Sequence, residues 1–395
     1  MAFLSNSAVN RINLHYGIHS LAQHAGGIFL LVFLLKAGVS LTATLLALAA
    51  IVAGRFILRP MVLPLSKRFG LKPIVIFGSI MHGAQYLVLP EVEGVGPALF
   101  ALIAISSVGD VFYWTSYHAY FASLGDSEHR GHQIGAREAL AAVVGVVAPL
   151  LGAWALVKLG PQVAFAAVGA VQALSTAPLW GAPNVAIKRS APGAFVAARS
   201  GAVLYLLHGV FVGCYFIVWN IALFLSLEQS FAAYGGAMAL AALAGAAAGL
   251  ALGRSIDAGH GRRAALIAAA VAAVVVIARA TSVGSAELAV VANALGALVV
   301  CLFVPVLMTA TYNLAKAAPC PLRFQIAAES GWDVGCLSAA LSAATLSAAG
   351  MSLSLAILLA LPAVAAMAIL LRAYYARNAI AIEAGVTPLA PETVP

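Results

Sequence analysis

The sequence predicts an all-α integral membrane protein: twelve transmembrane helices arranged as two pseudo-symmetric six-helix bundles. Three observations predict it. Of the 395 residues, 63% are hydrophobic and 9% charged, with a mean hydropathy of +1.02, which is more apolar surface than a soluble domain of this size can hide. Apolar runs of the roughly 20 residues needed to cross a hydrocarbon core about 30 Å thick recur along the chain. The basic residues sort into alternate gaps between those runs. Soluble enzymes, nucleic-acid-binding proteins and secreted disulfide frameworks drop out here, and the net charge of +8 reports orientation in a membrane, with no nucleic-acid partner.

The helices are numbered α1 to α12 in chain order. The first run, 14–35, follows Arg11 and ends at Lys36; it is too long for a signal-peptide core and is expected to remain as α1. Next come α2 at 41–65, closed by Lys67, Arg68 and Lys72, and α3 at 73–89, closed by Glu91 and Glu93. Runs at 97–124, 138–159 and 162–180 give α4, α5 and α6, with Arg130 and Arg137 entering α5 and Lys158 leaving it. Pro183 to Arg199, carrying Lys188 and Arg189, is the linker between halves. The second half has α7 at 200–227 and α8 at 230–252, separated by Glu228, then α9 at 264–279 after Arg254, Arg262 and Arg263. It closes with α10 at 287–314 from Glu287, α11 at 326–349 after Lys316 and Arg323, and α12 at 351–372, bounded by Arg372 and Arg377.

This division gives an N-terminal bundle over 1–182, a linker over 183–199, a C-terminal bundle over 200–377 and a tail over 378–395. The opposite side holds only Lys36 and Lys158 among basic residues, so both termini are expected in the cytoplasm, with the chain multi-pass in a bacterial cytoplasmic membrane. Cys214, Cys301, Cys320 and Cys336 form no CxxC pair and read as small packing residues. No nucleotide-binding motif is present, and no cofactor is expected.

The halves repeat. Thr115 to Glu138 on the α4–α5 passage and Thr309 to Ser330 on the α10–α11 passage align Arg130, Gln133 and Ile134 with Arg323, Gln325 and Ile326, allowing one gap. Between α2 and α3 stands Leu63-Pro64-Leu65-Ser66-Lys67-Arg68-Phe69-Gly70-Leu71-Lys72, and between α8 and α9 stands Gly253-Arg254-Ser255-Ile256-Asp257-Ala258-Gly259-His260-Gly261-Arg262-Arg263. These segments resemble the GxLaDrxGrk loop pattern of the major facilitator superfamily. Leu65, Arg68, Gly70 and Lys72 fit in the first copy, where Leu63 and Lys67 replace its Gly and Asp; the second keeps both, with one extra residue. Glu128-His129-Arg130-Gly131 and Ala148-Pro149-Leu150-Leu151-Gly152-Ala153 are also similar to family segments, the latter to one associated with antiporters. The usual α4 Arg is missing, and Asp110 is the ionisable residue there.

The resemblance implies alternating access around a midplane site between duplicated halves, with α1, α4, α7 and α10 lining the cavity, α2 meeting α11 and α5 meeting α8. An ionisable group at bilayer depth costs about 2.5–3.5 kcal/mol or more, so each needs a partner, water or a function. Arg55 and Arg59 lie one turn apart on α2, as do Glu329 and Asp333 on α11. These, with Arg137 and Glu138 facing Arg254 and Asp257, are expected as cytoplasmic gate bridges; static pairing or hydrated helix ends is the other reading. Asp110 has no obvious charged neighbour, and its stripe continues through Trp114, Tyr117 and His118. Asp110 and His118 are candidates for proton coupling, with plain packing as the alternative.

Candidate cavity residues are Gln23, His24, Tyr113, Trp114, Tyr117, His208, Tyr215, Trp219, Asn220, Asn293, Thr309 and Tyr312, although aromatic stripes also serve packing. His15 and His19 share a face, but at the cytoplasmic end of α1, where polar residues cost little; no metal site is assigned. The expected function is secondary transport of a small organic or amphiphilic solute, coupled to protons, with export by antiport slightly favoured and a monomer in the lipid bilayer. Uptake of a metal ion or chelate is an alternative, as is, from another class, a non-transporting receptor or assembly partner.

Overall fold

The computed structural model describes residues 6–124, 130–256 and 261–383, with backbone alone over 130–142, 249–256, 261 and 378–383. Helices occupy every predicted stretch: α1 Ser7–Lys36, α2 Leu41–Phe69, α3 Leu71–Glu91, α4 Pro97–Leu124, α5 Arg130–Lys158 and α6 Pro161–Trp180. They continue with α7 Arg199–Ser226, α8 Phe231–Ile256, α9 Gly261–Ser282, α10 Ala286–Ala317, α11 Pro321–Ala348 and α12 Leu353–Arg377. Among the described residues, 10 helices are long and apolar enough to cross a membrane, against the twelve expected. The other two are α5, whose described side chains begin at Val143 and form the apolar stretch Val143–Lys158, and α11, whose face carries Arg323, Gln325, Glu329 and Asp333.

The chain divides into two compact units: residues 1–189 with 227–243, and residues 190–226 with 244–395. In the first unit, α1 starts two turns earlier than the apolar run suggests. The Asn6 side chain caps it, accepting from the Val9 amide at 3.1 Å and donating to the Leu124 carbonyl at 3.2 Å. The helix loosens into a 3-10 turn at Gly27–Phe29. There a Cβ on Gly26 would come within 2.5 Å of Val168, and one on Gly27 within 3.0 Å of the Tyr86 hydroxyl.

Close helix approach continues at Gly78, where a Cβ would lie 2.5 Å from the Tyr113 backbone nitrogen, bringing α3 onto α4. The beginning of α8 also belongs to this unit: Tyr234 donates to the Ile28 carbonyl at 3.2 Å, and Phe231 packs on Phe29 and Phe33. The linker is tied down at its start, where Asn184 accepts from the Lys72 amide at 3.2 Å and donates to the Phe69 carbonyl at 2.8 Å. Gly70, at φ +83, makes the turn beside it, and Asn184 lies where its Cβ would stand.

In the second unit α7 and α11 form a small-residue seam. A Cβ on Gly209 would strike the Trp332 carbonyl, and one on Gly335 the Leu206 carbonyl. Such backbone proximity is what small residues permit between membrane helices, where no hydrophobic effect drives association. Six residues of α7, Gly213–Val218, are wound as a π-helix, a local widening that occurs mostly at functional or strained places.

Candidate functional site

The first unit buries a polar cluster between α1, α2, α3, α4 and α6. Asp110, on α4, is its centre. His82 Nε2 on α3 donates to Asp110 Oδ1 at 2.8 Å, and Arg55 Nη1 on α2 lies 3.6 Å from Asp110 Oδ2. The expectation that Asp110 lacks a charged neighbour is therefore corrected: Arg55 is one, and His82 is a second group able to carry charge. Both lie on other helices, beyond what spacing along α4 reveals. The Asp110 side chain is 26% exposed, whereas Arg55 and His82 are at 6% and 1%, so the carboxylate is the accessible edge of the cluster. The α3–α4 contact is close because residue 109 is glycine: a Cβ there would lie 2.7 Å from the His82 ring.

Two more imidazoles stand behind His82. His15 Nδ1 donates to the Ser175 carbonyl at 2.7 Å, which leaves Nε2 to accept from the Tyr113 hydroxyl at 3.2 Å. His19 Nδ1 accepts from Gln172 Nε2 at 3.0 Å. Tyr113 stacks on His19 at 4.3 Å between ring centroids and lies 5.2 Å from His82. His15 and His19 are thus wholly buried, which corrects the expectation that they sit where polar groups cost little: the early start of α1 carries them inside the helix bundle. One turn further along α2, Arg59 Nη1 donates to Thr115 Oγ1 at 2.5 Å.

The second unit holds a buried cation that the sequence reasoning missed. Arg279, on α9, donates from Nη1 to the Tyr215 carbonyl at 2.6 Å, inside the π-helical stretch of α7. Its guanidinium lies 3.9 Å from the Tyr215 ring centroid and 4.9 Å from that of Trp219, the geometry of a cation–π contact. Trp219 Nε1 donates to Asn293 Oδ1 at 3.0 Å, and the Tyr215 hydroxyl to the Gly296 carbonyl at 3.3 Å. A Cβ at Gly296 would strike Arg279. An arginine with no neighbouring acid in an otherwise apolar run was the available signal.

The other expected site residues are scattered around these two centres. His118 stacks on Trp114 and meets Tyr117 edge-on, both at 5.7 Å, two turns from Asp110. Tyr117 also lies 6.1 Å from His15. Gln23 packs its amide against Gly27, and His24 Nδ1 donates to the Ser20 carbonyl at 2.8 Å. His208 meets the Tyr205 ring edge-on at 5.9 Å; Asn220 is half-buried, Thr309 exposed and Tyr312 buried. Glu329 and Asp333 are buried on α11. The side chains of Arg137, Glu138, Arg254 and Asp257 lie outside the described residues.

The comparisons agree with this architecture. The fold is similar to that of the POT family transporter PepTSo (TM-score 0.65, 13% identity, covering 94% of this chain and 98% of that one). It is likewise similar to the human organic anion transporter MFSD10 (TETRAN) (TM-score 0.66, 15% identity, 92% and 99%), and to an auto-inhibited POT family peptide transporter (TM-score 0.59, 15% identity, 94% and 97%). No curated protein matches the chain in sequence. The family model described as Major Facilitator Superfamily matches residues 14–319, and on that match the chain belongs to the Major Facilitator Superfamily, as a membrane transporter and not an enzyme.

Proposed function

We propose that the protein is a proton-coupled secondary transporter of a small organic or amphiphilic solute, working by alternating access with twelve spans in two six-helix bundles. The observation that carries this is Asp110, a carboxylate at mid-span held by His82 and Arg55 yet open on one edge. A carboxylate paired with Arg55 ties α2 to α4; once protonated it loses that attraction. Proton binding and helix release are thereby coupled, as a proton-driven carrier requires. Export by antiport is favoured by the similarity of the α5 segment around Pro149 to antiporters, with a bacterial inner membrane as the location, both termini in the cytoplasm and a monomer as the working unit.

The gate belongs to the same proposal: Arg55 and Arg59 with Glu329 and Asp333, and Arg137 and Glu138 with Arg254 and Asp257. Cross-linking cysteines placed at 59 and 329 is expected to stop transport, and full activity of the cross-linked protein would remove the gate. Coupling is tested by internal pH in proteoliposomes carrying wild type or Asp110→Asn, challenged with amphiphilic compounds and divalent metals. A compound-dependent proton flux in wild type, lost in Asp110→Asn while solute exchange persists, is the expected result. A response to metals alone would favour the metal-uptake alternative, and equal flux through both proteins would remove Asp110 from coupling.

A further inference from the structure

Three imidazoles are buried around Tyr113, and their hydrogen bonds give them different capacities. A neutral imidazole has one N–H and one lone pair. On His15 the lone pair at Nε2 takes the Tyr113 hydroxyl, and on His19 the lone pair at Nδ1 takes the Gln172 amide. On His82 the proton sits on Nε2, directed at Asp110, and Nδ1 has no hydrogen-bond partner although it is buried. His19 Nε2 is likewise buried without a partner, but with Nδ1 accepting from Gln172 it carries the ring proton, so His82 is the one imidazole of the three whose lone pair is open. A buried polar atom left without a partner costs free energy and calls for an explanation.

We propose that His82 Nδ1 is the proton-binding atom of this transporter, with Asp110 as the counter-ion that stabilises the charged ring. The proposal rests on the coupling role given to Asp110 above and moves the partner role from His118 to His82. One proton adds to Nδ1, forming an N–H bond and an imidazolium whose Nε2–H stays on nitrogen, paired with the Asp110 carboxylate. No other reactant is needed. Asp110, Tyr113 and Tyr117 face this centre from α4, His15, His19 and His24 from α1, and Arg55 and Arg59 from α2, with Tyr86 on α3 itself. Among the described residues, α6 contributes the Gln172 amide and the Ser175 carbonyl.

The test is infrared difference spectroscopy between acidic and neutral pH on full-length protein in liposomes, with the proton as the only ligand and 15N-histidine labelling to identify imidazolium bands. Wild type should show a titrating imidazolium signal that His82→Gln removes and that His19→Gln and His118→Gln leave in place. In Asp110→Asn, which keeps the shape and loses the charge, the signal should need about tenfold more protons, a shift of about one pH unit. That variant carries the test alone if His82→Gln fails to fold. A signal that survives in His82→Gln, or that does not shift in Asp110→Asn, overturns the proposal. If proton-driven flux is nevertheless lost in Asp110→Asn, the coupling role of Asp110 stands without His82. If that flux is also intact, the reading beneath the proposal fails with it.

Discussion

The lone carbonyl at Tyr215 and the guanidinium at Arg279 satisfy each other. Winding Gly213–Val218 as a π-helix displaces carbonyls from their usual amide partners, and Arg279 donates to one of them while its charge rests on the Tyr215 and Trp219 rings. Removing the side chain leaves a buried acceptor without its donor and a cavity between two aromatic rings. Arg279→Ala is therefore expected to cost about 2–4 kcal/mol, read as a lower midpoint of thermal unfolding in detergent. Arg279→Lys should recover only part of it, because an ammonium lacks the planar face that stacks on both rings. An unchanged midpoint in Arg279→Ala would mean the contact carries no stability. Residues of this kind mark the limit of sequence reading. Asp110, an acid in an apolar run, was legible. Its partners were not, because Arg55 and His82 lie on helices whose relative register no single-helix periodicity fixes. Arg279 was passed over because it falls at the edge of its run, where a basic residue reads as a helix end.

At the level of helices, every predicted apolar run falls on a helix, and ten of these helices are long and apolar enough to cross a membrane among the described residues, since a span needs a length of hydrophobic chain and that length is written locally. The boundaries were less legible: α1 begins at Ser7 because Asn6 caps it and Val9 and Ile12 are buried in the protein, facts of packing that hydropathy does not record. Which glycines matter was also hidden, because α7, α8 and α11 are rich in small residues and only contact distinguishes them. Gly335 faces the Leu206 carbonyl, whereas nothing lies within 4 Å of a Cβ built on Gly236. Gly335→Val is expected to destabilise by about 1–3 kcal/mol through overpacking of α7 on α11. Gly236→Ala should be neutral or stabilising by up to about 1 kcal/mol, since alanine is the better helix former and meets no obstacle. Thermal unfolding of the two variants side by side checks the pair, and equal behaviour would mean that the α7–α11 seam is not closely packed in the membrane.

For the whole molecule, the topology turns on whether α5 and α11 cross the membrane with the other ten helices. The position of the C-terminus cannot answer it: ten and twelve are both even, and the chain ends on the side where it began. The loops between can. If α5 and α11 both cross, the linker with Lys188 and Arg189 and the passage holding Lys316 stand on the same side as Arg11, Lys67 and Arg68. If neither crosses, everything from Lys158 to Pro321 is inverted, and Lys188, Arg189, Arg262, Arg263 and Lys316 lie opposite the N-terminal basic cluster, against the charge asymmetry that orients membrane helices. The polar face of α11 does not forbid crossing. Glu329, Asp333, Arg323 and Gln325 are all buried in the protein, while the exposed side of the helix carries Val334, Ser338, Leu341 and Thr345, and charges inside a bundle are where functional membrane helices carry them. Reporter fusions made in full-length chains after Lys188 and after Lys316 are therefore expected to give cytoplasmic fluorescence and no activity from a phosphatase that needs an oxidising compartment. Phosphatase activity at both sites would reduce the protein to ten spans and break the two-bundle symmetry on which alternating access depends.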